Sequence, residues 1–186
     1  MNRKLEQGKK DIVLVDIDDT LAKTTPAYLR DIAAHAVKLF RAASHPSNWR
    51  RGPRYMFEAS LQDAGFYRNL PVQEDSLAVL EDLKDDYDFK IATSRKLYLR
   101  SDTEFWLEQK FPDIFSEMFF DVKDKGELAA EIGAAKIIDN NITHYRSSKN
   151  RGVDAIWFAP RWWNGLSKNK RRHAVGWQAV RESFEK

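Results

Sequence analysis

The stretch "IVLVDIDDTLA", residues 12–22, runs four apolar residues straight into Asp16, Asp18 and Asp19. Carboxylates this close raise one another's pKa, so a cation sits between them, one holds a proton, or both. Taken alone, Asp-x-Asp is equally a turn or a helix N-cap. A calcium loop of the EF-hand kind is excluded, because it needs glycine at the sixth position and glutamate at the twelfth. Leu21 and Ala27 stand there instead.

Further polar residues close other apolar runs. Thr93 and Ser94 end "DFKIATS"; Asp139, Asn140 and Asn141 follow "AAKII"; Lys123 and Lys125 precede "GELAAEIG". Singly, a Thr-Ser pair reads as a cap and a lysine as a surface residue. On successive strand ends they form a set with a chemical logic. A carboxylate can attack phosphorus and form an aspartyl-phosphate. A second carboxyl two residues on can give its proton to the departing oxygen and later take one from water. Carboxylate and phosphate repel, so a hard divalent cation must bridge them, and magnesium suits few carboxylates plus phosphate oxygens. Thr93 and Lys125 would add a hydrogen bond and a positive charge for the phosphoryl oxygens.

Such a set needs a scaffold that brings distant strand ends to one edge. "DIVLV" reads as a buried parallel strand. "TTPAYLRDIAAHAVKLFRAA" reads as a helix with Thr24 or Thr25 as cap and Pro26 in its first turn. "SHPSNWRRGPR" is a loop, and "YMFEASLQDAG" a second helix closed by Gly65. From Pro71 the pattern alternates. "QEDSLAVLEDLKDDY" is helical, "DFKIATS" a strand, and "SDTEFWLEQKF" a helix with a capping box of Ser101 and Glu104. "EMFFDV" is a strand, "KGELAAEIG" a helix, "AAKIID" a strand, "VDAIWFA" the final strand and "VGWQAVRESFEK" the closing helix. Alternating strands and helices predict an α/β domain with a parallel sheet, which binds ligands at the carboxyl ends of its strands. Residues 22–70 carry no strand signal and are predicted to form a helical insertion after the first strand.

The 186 residues suit one domain, with 42% hydrophobic and 32% charged residues in the range of soluble globular chains. Without cysteine there are no disulfides and no thiolate metal site. The polar start "MNRKLEQGKK" lacks the apolar stretch of a signal peptide, and no run reaches the length of a membrane span. The expectation is a cytoplasmic protein with no membrane partner. The net charge of +3 is concentrated in "MNRKLEQGKK", "WRRGPR" and "KNKRRH". These are solvated segments or an attraction for anionic substrates or nucleic acid, the nucleic acid not favoured.

These residues resemble the four motifs of the haloacid dehalogenase (HAD) superfamily of phosphohydrolases. "VLVDIDDT" resembles the first, "FKIATS" the second, "DKGEL" the lysine of the third, and "AKIIDNN" the fourth. More narrowly, "DAGFYRNLPVQEDSLAVLEDL", "ATS", "FWLEQKF" and "AIWFAPRWWN" are similar to the 5'(3')-deoxyribonucleotidase family. That likeness runs over roughly residues 10–182, with a poor match across 22–60. The resemblance implies a single HAD-like Rossmannoid domain over residues 1–186, a parallel sheet flanked by helices, with residues 22–70 as a small helical cap. It also implies Mg2+ dependence and hydrolysis of nucleoside monophosphates as a 5'-nucleotidase. By motif, Asp16 is the nucleophile and Asp18 the general acid/base. Asp16, the Asp18 carbonyl and Asp139 hold magnesium, Thr93 and Lys125 bind the phosphoryl group with Ser94 beside them, and Phe66 approaches the substrate.

Several positions depart from the family pattern. Asn140 follows Asp139 where a second acidic residue is common, Asp19 stands where glycine is frequent, and Arg95 stands where the nucleotidases usually show proline. Lys123 rivals Lys125 as the phosphate lysine. Alternative functions are a 3' phosphatase of polynucleotide ends and a nucleotide-binding regulatory protein with weak turnover. Trp49, Tyr55, Met56, Phe57, Phe66 and Tyr67 are candidates to stack on a base or to pack the cap. Trp157, Trp162 and Trp163 are read as structural, and His35, His45, His144 and His173 receive no catalytic role.

Overall fold

Val13, Leu14 and Val15 are fully buried, because the first strand is covered on both faces. The computed structural model describes residues 10–30, 65–161 and 174–185. Among these, β1 (Asp11–Val15), β2 (Tyr87–Ala92), β3 (Phe115–Phe119), β4 (Lys136–Asp139), β5 (Asp154–Ala159) and β6 (Ala174–Val175) form one sheet in the order β3-β2-β1-β4-β5-β6. Every pairing is parallel, so this is the Rossmann-like α/β sheet that the alternating pattern predicts. The helices are α1 (Ser76–Leu83), α2 (Arg100–Lys110), α3 (Lys125–Glu131), α4 (Ile142–Asn150) and α5 (Gly176–Glu182).

Side chains alternate across β1. Val13 and Val15 join Val79 and Leu80 of α1, Trp106 and Leu107 of α2, and Trp177 and Val180 of α5 in one core layer. Leu14 faces the other way, with Ala129 of α3, Ile137, and Val153 at the start of the β5 run. Trp106 and Trp177 are both fully buried, and truncating such a residue typically costs about 3–5 kcal/mol. The order reverses between β1 and β4, and a sheet of this kind opens its ligand crevice at that switch point.

Some predicted details are corrected. "VDAIWFA" is not the last strand: β6 adds two residues that pair Phe158 with Ala174 and Ala159 with Val175, too short a run to show any periodicity. Helix α4 occupies a stretch to which the sequence pattern assigns no element. Ser101 caps nothing, because a 3-10 turn at Leu97–Leu99 runs directly into α2 and places Ser101 inside the helix. Asp121 supplies an acceptor for the start of that turn, taking the Leu97 N–H at 2.9 Å, while Glu104 pairs with Arg100 at 2.7 Å. Residues 24–30 are helical, so Thr24 and Thr25 lie in the first turn and Asp19 acts as the cap, accepting the Thr25 N–H at 2.8 Å. The rest of the insertion predicted over 22–70 lies outside the described residues until Gly65, whose φ of 68° leads into a 3-10 turn at Phe66–Arg68. Trp49, Tyr55, Met56, Phe57, Trp162, Trp163, His35, His45 and His173 also lie outside them.

Candidate active site

The strand ladders run on into the polar residues and hold them. Asp16 N–H donates to the Ile138 carbonyl at 3.0 Å, extending β1–β4; Thr93 N–H donates to the Phe119 carbonyl at 2.9 Å, extending β2–β3. Asp16, Thr93 and Asp139 are therefore positioned by backbone pairing. Lys125 arrives from α3, whose N-cap Asp124 accepts the N–H groups of Gly126 and Glu127. Gly126 permits the approach of α3 to α4: a Cβ there would stand 2.5 Å from the Ser148 nitrogen and 2.6 Å from the Ser147 carbonyl carbon.

Residues 109 and 14 positions away in the chain meet at the Lys125 ammonium, which donates to Asp16 Oδ1 and, at 2.8 Å, to Asp139 Oδ2. All three residues are at most 5% exposed. Asp16 Oδ2 also accepts from the Thr20 hydroxyl at 2.9 Å, and Asp139 Oδ1 from the Asn141 N–H at 2.6 Å. Each of these four oxygens retains a lone pair, since a carboxylate oxygen carries two. Lys123, the rival lysine, is exposed.

Asp18 makes a separate pair. Arg95 donates to both of its oxygens, at 2.7 and 3.0 Å, and Thr24 adds a hydroxyl at 2.7 Å. Thr93 Oγ1 accepts the Arg95 N–H at 3.1 Å. Ser94 is exposed and donates to the Val122 carbonyl at 2.9 Å. Asp18, Ser94, Arg95, Phe66, Tyr67 and Tyr98 line a cavity of about 740 Å³. Phe66 is itself 6% exposed and packs edge-on against Tyr67.

Burial pushes the Asp16 carboxyl up to about 6; Lys125 opposes that shift, while Asp139 and Asp18 add to it. Burial also acts on Asp18, but the Arg95 charge and hydrogen bonds outweigh it and hold this carboxyl below the usual range. Lys125 is raised, its two carboxylate partners outweighing the effect of burial. His144 sits behind the lysine, with Nδ1 3.5 Å from the Lys125 N–H. Burial and the neighbouring ammonium lower its pKa, which suits a neutral acceptor.

Asp16, Asp18 and Asp139, with the Asp19 carboxylate close by, outnumber Lys125 and Arg95, so negative charge is in excess. Bringing a dianion there without a further cation would stack charge in a buried site. Hard oxygen donors beside that excess fit a divalent cation. Among the described residues no group of three or more His, Cys, Asp or Glu side chains converges as a metal site. The donors that the motif resemblance implies are two carboxylates, Asp16 and Asp139, plus the Asp18 carbonyl.

The predicted set omits four contributors. Arg95 was visible as a departure, and Thr20 and Thr24 as hydroxyls near the acidic run. Trp177 carried no signal: its Nε1–H donates to the Thr20 carbonyl at 2.9 Å across a separation of 157 residues.

No family model and no curated protein matches the chain. Solved structures do. An L-2-haloacid dehalogenase superposes with a TM-score of 0.64 at 13% identity, covering 95% of this chain and 99% of that one. The HAD-hydrolase YfnB from Bacillus subtilis, bound to magnesium, gives 0.62 at 13%, covering 96% and 100%. A HAD family enzyme from Bacteroides thetaiotaomicron, in complex with magnesium and inorganic phosphate, gives 0.50 at 13%, covering 81% and 95%. What the chain shares with them is the HAD fold.

Proposed function

We propose that this chain is a magnesium-dependent phosphomonoesterase that dephosphorylates nucleoside monophosphates through an aspartyl-phosphate on Asp16. The observation that carries the reading is the buried Lys125 ammonium joining Asp16 to Asp139 at the β1–β4 switch point. Asp16 is the nucleophile because one of its oxygens can meet phosphorus while Lys125 and Thr20 fix the carboxylate. Lys125 and Thr93 supply charge and a hydroxyl to the phosphoryl oxygens, and Ser94 stands beside them. Asp18, on the cavity side, returns a proton to the leaving oxygen and then takes one from the water that cleaves the intermediate. Mg2+ held by Asp16, Asp139 and the Asp18 carbonyl would neutralise the developing phosphoryl charge.

In the unliganded site the acidities run against those roles, since Asp16 is raised and Asp18 lowered. Loading acts against both shifts. A cation beside Asp16 favours its ionised form, and a dianion beside Asp18 favours its protonated form.

Nucleotide specificity is supported by the cavity. Its volume, about 740 Å³, is in the usual range for small-molecule sites. Tyr28, Tyr67 and Tyr98 on its walls offer stacking worth about 1–3 kcal/mol per base. The test is a panel assayed with magnesium: dUMP, dTMP and other monophosphates against a 3'-phosphorylated oligonucleotide. Turnover of the monophosphates is expected. Cleavage of the oligonucleotide alone would move the function to polynucleotide ends, and nucleotide binding without turnover would make the chain a regulatory binder.

A further inference from the structure

Arg95 is more constrained than its place in a loop after β2 suggests. It is 5% exposed. Its Nη2 and Nε donate to Asp18 Oδ1 and Oδ2 at 2.7 and 3.0 Å. Its Nη1 donates to Thr103 Oγ1 at 3.1 Å, and that hydroxyl donates onward to the Leu99 carbonyl at 2.8 Å. The guanidinium also lies 5.1 Å from the centre of the Tyr67 ring. A planar fork held on these sides has one orientation, which a lysine could not reproduce.

The consequence falls on Asp18. Oδ1 accepts from both Arg95 and Thr24, whereas Oδ2 accepts from Arg95 alone. With two lone pairs per oxygen, Oδ1 is filled and Oδ2 keeps one. We propose that Arg95 is the positioning residue of Asp18: its two-pronged grip, with Thr24 filling Oδ1, selects Oδ2 as the oxygen that delivers the proton. The inference rests on the phosphomonoesterase reading above. In the transfer step the ester O–P bond breaks and a P–O bond forms to Asp16. The bonding pair stays on the departing oxygen, which takes the proton from Asp18 Oδ2 and leaves as the alcohol.

Aryl esters of one shape separate this role from packing. Phenyl phosphate leaves as a basic phenolate and needs the proton, whereas 4-nitrophenyl phosphate does not. The value of kcat/KM covers only the steps up to the aspartyl-phosphate. In Arg95→Ala, kcat/KM for phenyl phosphate and for dUMP is expected to fall about 100-fold, and for 4-nitrophenyl phosphate less than about 5-fold. Arg95→Lys and Thr103→Val are expected to show the same split in smaller measure, and they decide the question if Arg95→Ala does not fold. Equal losses on phenyl and 4-nitrophenyl phosphate, or no loss on either, overturn the proposal. A wild type inactive on all three esters with magnesium overturns the phosphomonoesterase reading, and this inference with it. An active wild type whose variants keep the ratio overturns the inference alone.

Discussion

Asp16 has two demands on it, and they conflict. As the proposed nucleophile it must be ionised, yet burial lifts its carboxyl from the ordinary 3.8 to about 6. Between those values the folded chain holds a proton that the unfolded chain releases. The stability contributed by Asp16 therefore declines as pH rises from about 4 to about 6 and stays lost above. Asp18 behaves oppositely: its carboxyl is lowered, so its contribution is present above 3.8 and lost as pH falls through the folded value. Asp16→Asn is expected to abolish phosphate release while leaving the fold intact. In metal-free protein above pH 7 its melting temperature should equal or exceed that of the wild type, with the difference shrinking towards pH 4. Calorimetry across pH, together with a phosphate-release assay, checks both halves. Retained turnover would remove Asp16 as nucleophile.

Elements hold these residues through a few close contacts. Helix α3 can present Lys125 only because Gly126 lets it lie against α4, where the Ser147 hydroxyl could rotate away but the Ser147 and Ser148 backbone atoms cannot. Gly126→Ala is expected to cost about 1–3 kcal/mol by overpacking and to lower turnover at temperatures where the variant is still folded, since α3 must shift and carry Lys125 with it. Denaturant unfolding and kcat measured on one preparation test this. A second tie comes from α5. Trp177 is fully buried and donates to the Thr20 carbonyl, while the Thr20 hydroxyl donates to Asp16. Trp177→Phe leaves that carbonyl without its donor, at about 1–3 kcal/mol, and is expected to reduce kcat as well. Lost stability with unchanged kcat would limit Trp177 to packing. Asp19 belongs to this scale too. Its φ of 60° lies in the left-handed region, a conformation that accounts for glycine at such a position. Here its carboxylate offsets the strain by capping residues 24–30.

At the scale of the molecule, the parallel sheet gathers excess negative charge at its switch point, and a ligand must restore the balance. Phosphate alone is expected to leave the melting temperature unchanged and magnesium alone to raise it modestly. The two together should stabilise most, by about 2.7 kcal/mol when free ligand is 100-fold above its Kd. Asp139→Asn should remove most of that shift. Scanning fluorimetry with each addition measures it, and stabilisation by phosphate without magnesium would contradict the charge balance. Among the described residues no helix is long and apolar enough to cross a membrane.

The strand-helix alternation, the all-parallel sheet and the polar residues closing β1, β2 and β4 were legible because each rests on local periodicity: apolar runs buried on both faces, and turns that must be polar. That Asp16, Lys125 and Asp139 meet followed from a general property of parallel sheets, that successive strands end on the same edge. Their partners did not follow. The grip of Arg95 on Asp18 spans 77 positions and that of Trp177 on Thr20 spans 157. Neither leaves a trace in spacing, because the contact exists only once the sheet order has brought the two segments together. The short β6 strand and the close seat of Gly126 on α4 likewise depend on the packed helices and sheet. The chain's own pattern determined which chemistry the strand ends carry; tertiary packing alone decided which carboxylate meets the lysine and which meets the arginine.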